Sequence, residues 1–187
     1  MPYETVAVDP ARWPDLERLF GPNGAYSNCW CTWFLLTGRR WEEAGAAGRR
    51  TVLRDVVASG AEPGLLAYDG DDPVGWCAVG PREWYDRMTS PRALVYRPPD
   101  DLPAWVVNCF FVAREHRRAG VAAALLDAAV DHAFSRGAAR IDAYPLDTAE
   151  GSPPESSLYV GTLDMFRGAG FREIARIRDR PVVRRER

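Results

Sequence analysis

The chain is expected to fold as a mixed α/β domain of the α+β kind, with a central twisted sheet flanked by helices on both faces. Three observations lead there. Ala104 to Val112 is an apolar run broken only by Asn108, as a central strand covered on both faces requires. The run passes through a basic turn containing Gly120 into residues 121 to 134. In that stretch Asp127 and Asp131, with Ser135 just beyond, share one wedge, while Val121, Leu125, Leu126, Ala129 and Val130 fill the rest, the pattern of a helix packed on a sheet. The order of elements is strand, helix, helix, three strands, helix, strand, helix, strand, which does not alternate as a doubly wound sheet does.

Taken in order, Tyr3 to Val8 alternates as a strand does, and Asp9 with Pro10 supplies an N-cap and a first-turn proline for a short helix ending near Gly21. Gly21 to Ser27 is turn-rich and leads into a cluster of aromatic residues and cysteines, Cys29, Trp30, Cys31, Thr32, Trp33 and Phe34. Within 39 to 58 the pairs Val52/Val56 and Leu53/Val57 mark a second amphipathic helix, closed by Gly60 and Pro63. Leu65 to Tyr68 and Val74 to Val79 are strands joined by a turn bearing the Asp69-Gly70 hairpin signal. Residues 81 to 103 are proline-rich and irregular. Beyond the central strand and its helix, Ala139 to Tyr144 is a strand and 145 to 158 a long loop with Pro145, Pro153 and Pro154. Residues 160 to 168 form a helix, Phe171 to Ile177 the last strand, and the arginines at 178, 180, 184, 185 and 187 a solvated end.

A length of 187 residues fits one domain over 1 to 187 with one core, and 47% apolar with 27% charged residues is ordinary globular composition. The 24 basic and 26 acidic residues leave a charge of −2, so no electrostatic excess draws the chain to nucleic acid. All the basic residues are arginine, which excludes lysine Schiff-base chemistry. Met1 to Asp9 has no apolar signal region, and the longest apolar run is too short to span a bilayer, so a cytoplasmic protein without membrane partners is expected. Cys29, Cys31, Cys77 and Cys109 are too few for a disulfide scaffold and lack the C-x-x-C spacing of a zinc site, so reduced thiols and no metal are expected.

The chemistry concentrates after the central strand, where Ala113 to Glu115 and then His116, Arg117, Arg118, Ala119, Gly120, Val121 and Ala122 open into a helix. A helix N-terminus presents unpaired N–H groups and positive potential, and a glycine there admits an anion close to the backbone. Arg117 and Arg118 add charge. This stretch resembles the acyl-CoA motif of the GNAT acetyltransferase superfamily: a strand, then Arg or Gln, two residues, Gly, one residue, and Gly or Ala, met here by Arg117, Gly120 and Ala122. Phe110 and Val112 on the strand and the Gly170-Phe171 pair after the last helix extend the likeness.

The resemblance implies that acetyl-CoA is bound as acyl donor, its pyrophosphate on the amides of Arg118, Ala119, Gly120, Val121 and Ala122. Its pantetheine would run along Phe110, Phe111 and Val112. It also implies direct transfer to an amine of a small molecule or peptide, with a homodimer as an admissible assembly and the C-terminal arginines as a further donor or partner contact. Two departures stand out. The family's Asn before the last helix and Tyr seven residues later correspond to Tyr159 and Phe166. Phe166 cannot donate a proton and is grouped with the donor contacts. Tyr159 is the nearest hydroxyl in sequence, open to packing or to modest help for the leaving thiolate. The strand carries no acid. Asn108, its one strongly polar side chain, is either a buried amide or a substrate contact, and Glu83, Asp86, Asp142 and Glu155 are candidate bases through water, or else ordinary surface groups.

The segment after the first helix falls on the acceptor side by the same resemblance, so Trp30, Cys31, Trp33 and Phe34 are candidate acceptor walls, with core packing as the alternative. His116 and His132 lack a partner at a recognisable spacing and are read as structural or solvated. Two rival functions stay open, a non-catalytic acyl-CoA-binding module and transfer to a hydroxyl, the second of which demands a stronger base.

Overall fold

The computed structural model describes residues 3–89, 102–149, 151 and 154–187. Its sheet has seven strands: β1 (Glu4–Ala7), β2 (Gly64–Asp69), β3 (Asp72–Pro81), β4 (Ala104–Val112), β5 (Arg140–Ala143), β6 (Arg172–Ile177) and β7 (Arg180–Glu186). They lie in the order β1-β2-β3-β4-β5-β7-β6, and every neighbouring pair is antiparallel except β4 with β5. The helices are α1 (Trp13–Phe20), α2 (Gly38–Ala58), α3 (Asp86–Thr89), α4 (Val121–Ser135) and α5 (Leu163–Gly168).

Local chemistry accounts for most of these boundaries. The Asp9 carboxylate accepts a hydrogen bond from the Arg12 amide at 2.9 Å, capping the turn Pro10–Arg12 that runs into α1. Gly70 and Asp71 close the β2–β3 hairpin between the paired Asp69 and Asp72, with Gly70 in the left-handed region at φ 59°. On one face of the sheet α4 and α5 bury Val121, Leu125, Leu126, Val130, Leu163 and Phe166 against Leu65, Cys77, Val79, Val107 and Phe110. A Cβ at Gly75 would meet Val121 Cγ1 at 2.5 Å, so this bare position on β3 sets how closely α4 lies. On the other face α1 and the second half of α2 bury Trp13, Leu16, Phe20, Leu53 and Val57 against Leu66, Trp76 and Cys109.

Two elements differ from the sequence reading. The helix read as continuous is broken at Gly45, whose φ of 56° and ψ of −173° no helix accommodates. Its first half therefore takes its own course and carries Trp41 to within 5.1 Å of Trp33, ring centre to ring centre. The arginine-rich end is not a solvated tail. The chain reverses after Ile177, with Arg178 at φ 54°, and returns as β7, which inserts between β5 and β6. Only Val182 and Val183 give this strand an apolar signature, and five flanking arginines hide it. The 90–101 part of the proline-rich stretch lies outside the described residues.

β7 also settles Asp142, which was a candidate base. Its carboxylate is fully buried and receives two hydrogen bonds from Arg184, at 2.7 and 3.0 Å, with Arg82 at 3.7 Å. It is an ion pair that joins β5 to β7. Removing one partner of such a pair strands the other charge in the interior, at a cost of about 3–5 kcal/mol. Asp142→Ala is accordingly expected to lower unfolding free energy in urea by about that amount, far more than truncation of the exposed Glu43.

Candidate active site

The site begins with one surplus residue in the central strand. Ala78 pairs with Cys109 and Val79 with Val107, so Asn108 has no partner on β3 and forms a bulge. The bulge shifts the alternation of side chains. Trp105 and Val107 face α4, and beyond the bulge Phe110 and Val112 keep that face, while Cys109 and Phe111 turn to the side of α1. On its other edge β4 pairs with β5 only from Ala104 to Val107. Past the bulge that edge has no sheet partner among the described residues, so main-chain groups of its outer half are free for a ligand.

Beyond β4 a turn at Arg114–His116 leads to α4. Arg118 stands at φ 64° and Gly120 at φ 86°. The helical ladder starts with Ala124 N–H donating to Gly120 C=O at 3.0 Å, and no backbone carbonyl of the described residues accepts from the amides of 118 to 123. A Cβ at Gly120 would meet nothing within 4 Å, so the backbone there borders open space. Free amides, the positive end of a 15-residue helix and two arginines suit a diphosphate.

From this loop a cavity of about 670 Å³ runs past the outer half of β4 to the aromatic segment. Phe110, Phe111, Val112, Arg117, Arg118, Gly120, Val121 and Ala122 line one end, and Cys31, Trp33, Phe34 and Tyr159 line the other. Sequence reasoning missed Tyr26, Trp41, Cys109, Leu158 and Met165, which also line it. Trp41 is supplied by the break in α2, and Cys109 is turned inward by the bulge, neither of which a periodicity reveals.

Four expected site residues fall elsewhere. Trp30 is 6% exposed and sits between Trp13 and Phe20, at 6.1 and 5.7 Å, so it anchors the loop from beneath rather than walling the cavity. Phe166 is fully buried between Phe110 and Phe171, since α5 turns it into the core. Ala119 does not line the cavity, and its carbonyl accepts from the Tyr3 hydroxyl. Asn108 is a buried bulge amide beside Tyr85, not a cavity group.

The loop that carries the far wall is strained. Ala25, Ser27, Asn28, Trp30 and Cys31 all have φ between 46° and 70°, a region that costs a side-chain-bearing residue about 1–2 kcal/mol. Burial of Trp30 and Cys31 offsets this, as do bonds from Ala25 N–H to Phe20 C=O and from Arg49 to Asn28 C=O. Cys31 Sγ lies 3.1 Å from Cys109 Sγ. That contact, followed by burial, holds the Cys31 thiol well above the ordinary range, and burial pushes Cys29 up to about 11. Neither is a thiolate at neutral pH, which disfavours a covalent acyl-cysteine.

Burial, then Cys109, raises the Tyr159 phenol, with Arg180 and Arg87 acting the other way. Asp86 is engaged by Arg40 at 2.6 Å, and neither it nor Glu83 lines the cavity, while the Glu155 side chain lies outside the described residues. His116 lines the same end as Arg117 and Arg118, with Nδ1 3.7 Å from Asp69, and His132, its pKa lowered by burial, packs on Trp105 away from the cavity. Among the described residues no cluster of three metal-ligating side chains occurs, and no helix is long and apolar enough to cross a membrane.

Residues 30–159 match the family model described as acetyltransferase (GNAT) family. Among curated proteins none matches the sequence. Several solved structures share the fold. The paia N-acetyltransferase from Thermoplasma acidophilum in complex with coenzyme A is 10% identical with a TM-score of 0.57, covering 100% of both chains. Ribosomal-protein-alanine N-acetyltransferase from Brucella melitensis is 15% identical with a TM-score of 0.56, covering 98% of this chain and 99% of that one. A GCN5-related N-acetyltransferase from Kribbella flavida is 15% identical with a TM-score of 0.53, and the match spans 91% of this chain but only 33% of that longer one.

The helix-terminus loop yields a direct test. Gly120→Glu places bulk and negative charge where the amides converge, at a left-handed backbone position. The expected result is loss of coenzyme A binding by calorimetry, with native far-ultraviolet circular dichroism and a destabilisation of about 1 kcal/mol from the strained φ. Retained affinity would remove this loop from the donor site.

Proposed function

The chain belongs to the GNAT acetyltransferase family, and on that premise we propose that it holds acetyl-CoA and an amine together and transfers the acetyl group by direct attack in the ternary complex. The observation that carries this reading is the single cavity joining the helix-terminus loop to the aromatic segment past the free edge of β4. A donor lying along that path has its diphosphate at Arg118, Gly120, Val121 and Ala122 and its thioester near Cys109, with the acceptor's space beyond. The family's activity and the coenzyme A bound by the Thermoplasma acidophilum neighbour support acetyl-CoA as the donor.

Main-chain N–H groups of the outer half of β4 polarise the thioester carbonyl, and fixed donors of this kind act without reorganisation. The free amine attacks that carbon, its surplus proton passes to water, and the carbon–sulfur bond breaks to give the amide and the thiolate of coenzyme A. Tyr159 lines the same cavity, and we assign it as the proton donor to the departing sulfur. The rest is positioning, which by itself lowers a bimolecular barrier substantially. A non-catalytic donor-binding module is the second reading, favoured by Glu83, Asp86 and Asp142 all lying off the cavity. Acetylated product in a mass-spectrometric amine screen decides between the two.

The proton donor is tested by Tyr159→Phe, which preserves the ring's contact with Phe34 and deletes one hydroxyl. General acids contribute about 10²–10⁴-fold, so kcat should fall about a hundredfold while the Kd for acetyl-CoA stays constant. A fall of less than about tenfold would return Tyr159 to a packing role.

The pH profile is fixed by the same assignments. A phenol raised above its ordinary value keeps its proton through neutral pH, so the acid is present there and is lost only above about pH 10. With water taking the amine's proton, the rising limb of kcat/KM should follow the free-base fraction of whichever amine is supplied. A limb that ignores the amine's own basicity would reveal a protein base.

A further inference from the structure

The acceptor end of the cavity has a composition and a charge that its role as an amine site does not by itself require. Trp33 and Trp41 meet edge to face, Phe34 and Tyr159 complete the wall, and Tyr26 stands at the opening, 62% exposed. A wall of flat rings offers stacking and edge contacts to another flat ring, and much less to a flexible polar chain.

Each tryptophan also carries a cation. The Arg87 guanidinium lies 3.7 Å from the Trp33 ring centre and that of Arg49 lies 3.2 Å from the Trp41 ring centre. Neither arginine lines the cavity, so both charges act from behind or beside the rings. Their hydrogen bonds run to carbonyl oxygens, Arg87 to Trp33, and Arg49 to Trp41 and Asn28. No carboxylate among the described residues pairs with either. The polar atoms left without a partner at this end, Trp41 Nε1 and Arg87 Nη2, are donors too, which adds to the positive potential. The tryptophan faces that would otherwise attract an ammonium are thus already answered by arginine, and a charge stacked on the opposite face would sit at about 7 Å from a like charge, within one Debye length.

We infer that the acceptor is an arylalkylamine, an amine that carries an aromatic ring and a single basic nitrogen, excluding polyamines and other polycations. This rests on the amine-acceptor reading above and names the substrate class of that site. Trp33 and Trp41 select the ring. Arg87 and Arg49 reject additional positive charge and favour an acceptor nitrogen that arrives as the free base, since like charge and burial both disfavour the ammonium. The other ionisable groups lining the cavity, His116, Arg117 and Arg118, lie at the donor end, where the diphosphate of the proposed donor would answer the arginines.

The test compares phenethylamine, butylamine and spermidine in two measurements: turnover with saturating acetyl-CoA, and calorimetric binding to the protein saturated with coenzyme A. Phenethylamine should exceed butylamine about tenfold and spermidine about a hundredfold in kcat/KM, with binding in the same order. Trp33→Ala should bring phenethylamine to within about threefold of butylamine without altering the Kd for coenzyme A. Arg87→Gln should raise the ratio of kcat/KM for spermidine to that for phenethylamine about fivefold or more. Spermidine preferred over phenethylamine in either measurement, or undiminished ring selectivity in Trp33→Ala, overturns the inference. Absence of turnover with every amine, together with ordered binding to the coenzyme A complex, would sink the transferase reading and leave the ligand class standing. Absence of both turnover and selective binding defeats the inference as well.

Discussion

Between Val107 and Cys109 the central strand holds one residue more than its neighbour can pair, and the geometry of the site follows from that surplus. Without the bulge at Asn108, strict alternation of the same residues would turn Phe110 toward α1 and Cys109 toward α4, exchanging the residues presented to the two layers. With it, Phe110 packs on Phe166 under α5 while Cys109 faces the strained loop and Cys31. The same strand parts from β5 after Val107, so the shift of phase and the loss of an edge partner occur within one residue of each other. A buried amide at such a place cannot easily be replaced by an apolar side chain on hydrophobic grounds alone, because its surroundings include the Tyr85 phenol.

The two ends of the cavity depend on different kinds of support. The donor end is rigid because α4 buries seven side chains and begins at a left-handed glycine, which fixes the direction of its free amides. The opposite end is held on a loop with five left-handed non-glycine residues, supported by Trp30 locked under it and by Arg49 reaching up from α2. In the proposed reading the thioester is located by regular structure, while the wall assigned to the acceptor can differ in shape among proteins that share the sheet. This division agrees with a shared fold at 10–15% identity to the three solved structures.

The parts legible in the sequence were those written in periodicity or in a local motif. β4, α4 and the loop between them could be read because a continuous apolar run, a wedge of acids and an Arg-x-x-Gly-x-Ala spacing each report one local preference. Trp33, Phe34 and Tyr159 were found from the family's layout, and the cavity does include them. What escaped depends on distant contacts. β7 is a strand because Asp142 and the edge of β5 await it, and its own residues scarcely announce it. Trp41 reaches the cavity through a break at Gly45 that looks like any helical glycine in sequence, and Trp30 cannot be told from Trp33 without knowing which side of the loop faces Trp13.

The position of Phe166 shows how the proposed proton donor follows from packing. Its ring is fully buried and makes edge contacts with Phe110 at 6.1 Å and Phe171 at 5.1 Å, and a Cβ on Gly161 would already be 2.9 Å from it. A hydroxyl added there would enter an apolar interior and would have to find a partner to avoid an uncompensated polar group. Tyr159 precedes it on the short turn Glu155–Val160 that covers β4, and that turn presents a phenol to the cavity without burying it completely. In this chain the aromatic core under α5 and the hydroxyl at the site are thus supplied by separate residues. The first stabilises the wall of the cavity beside β4, and the second is left free to act in the role proposed for it.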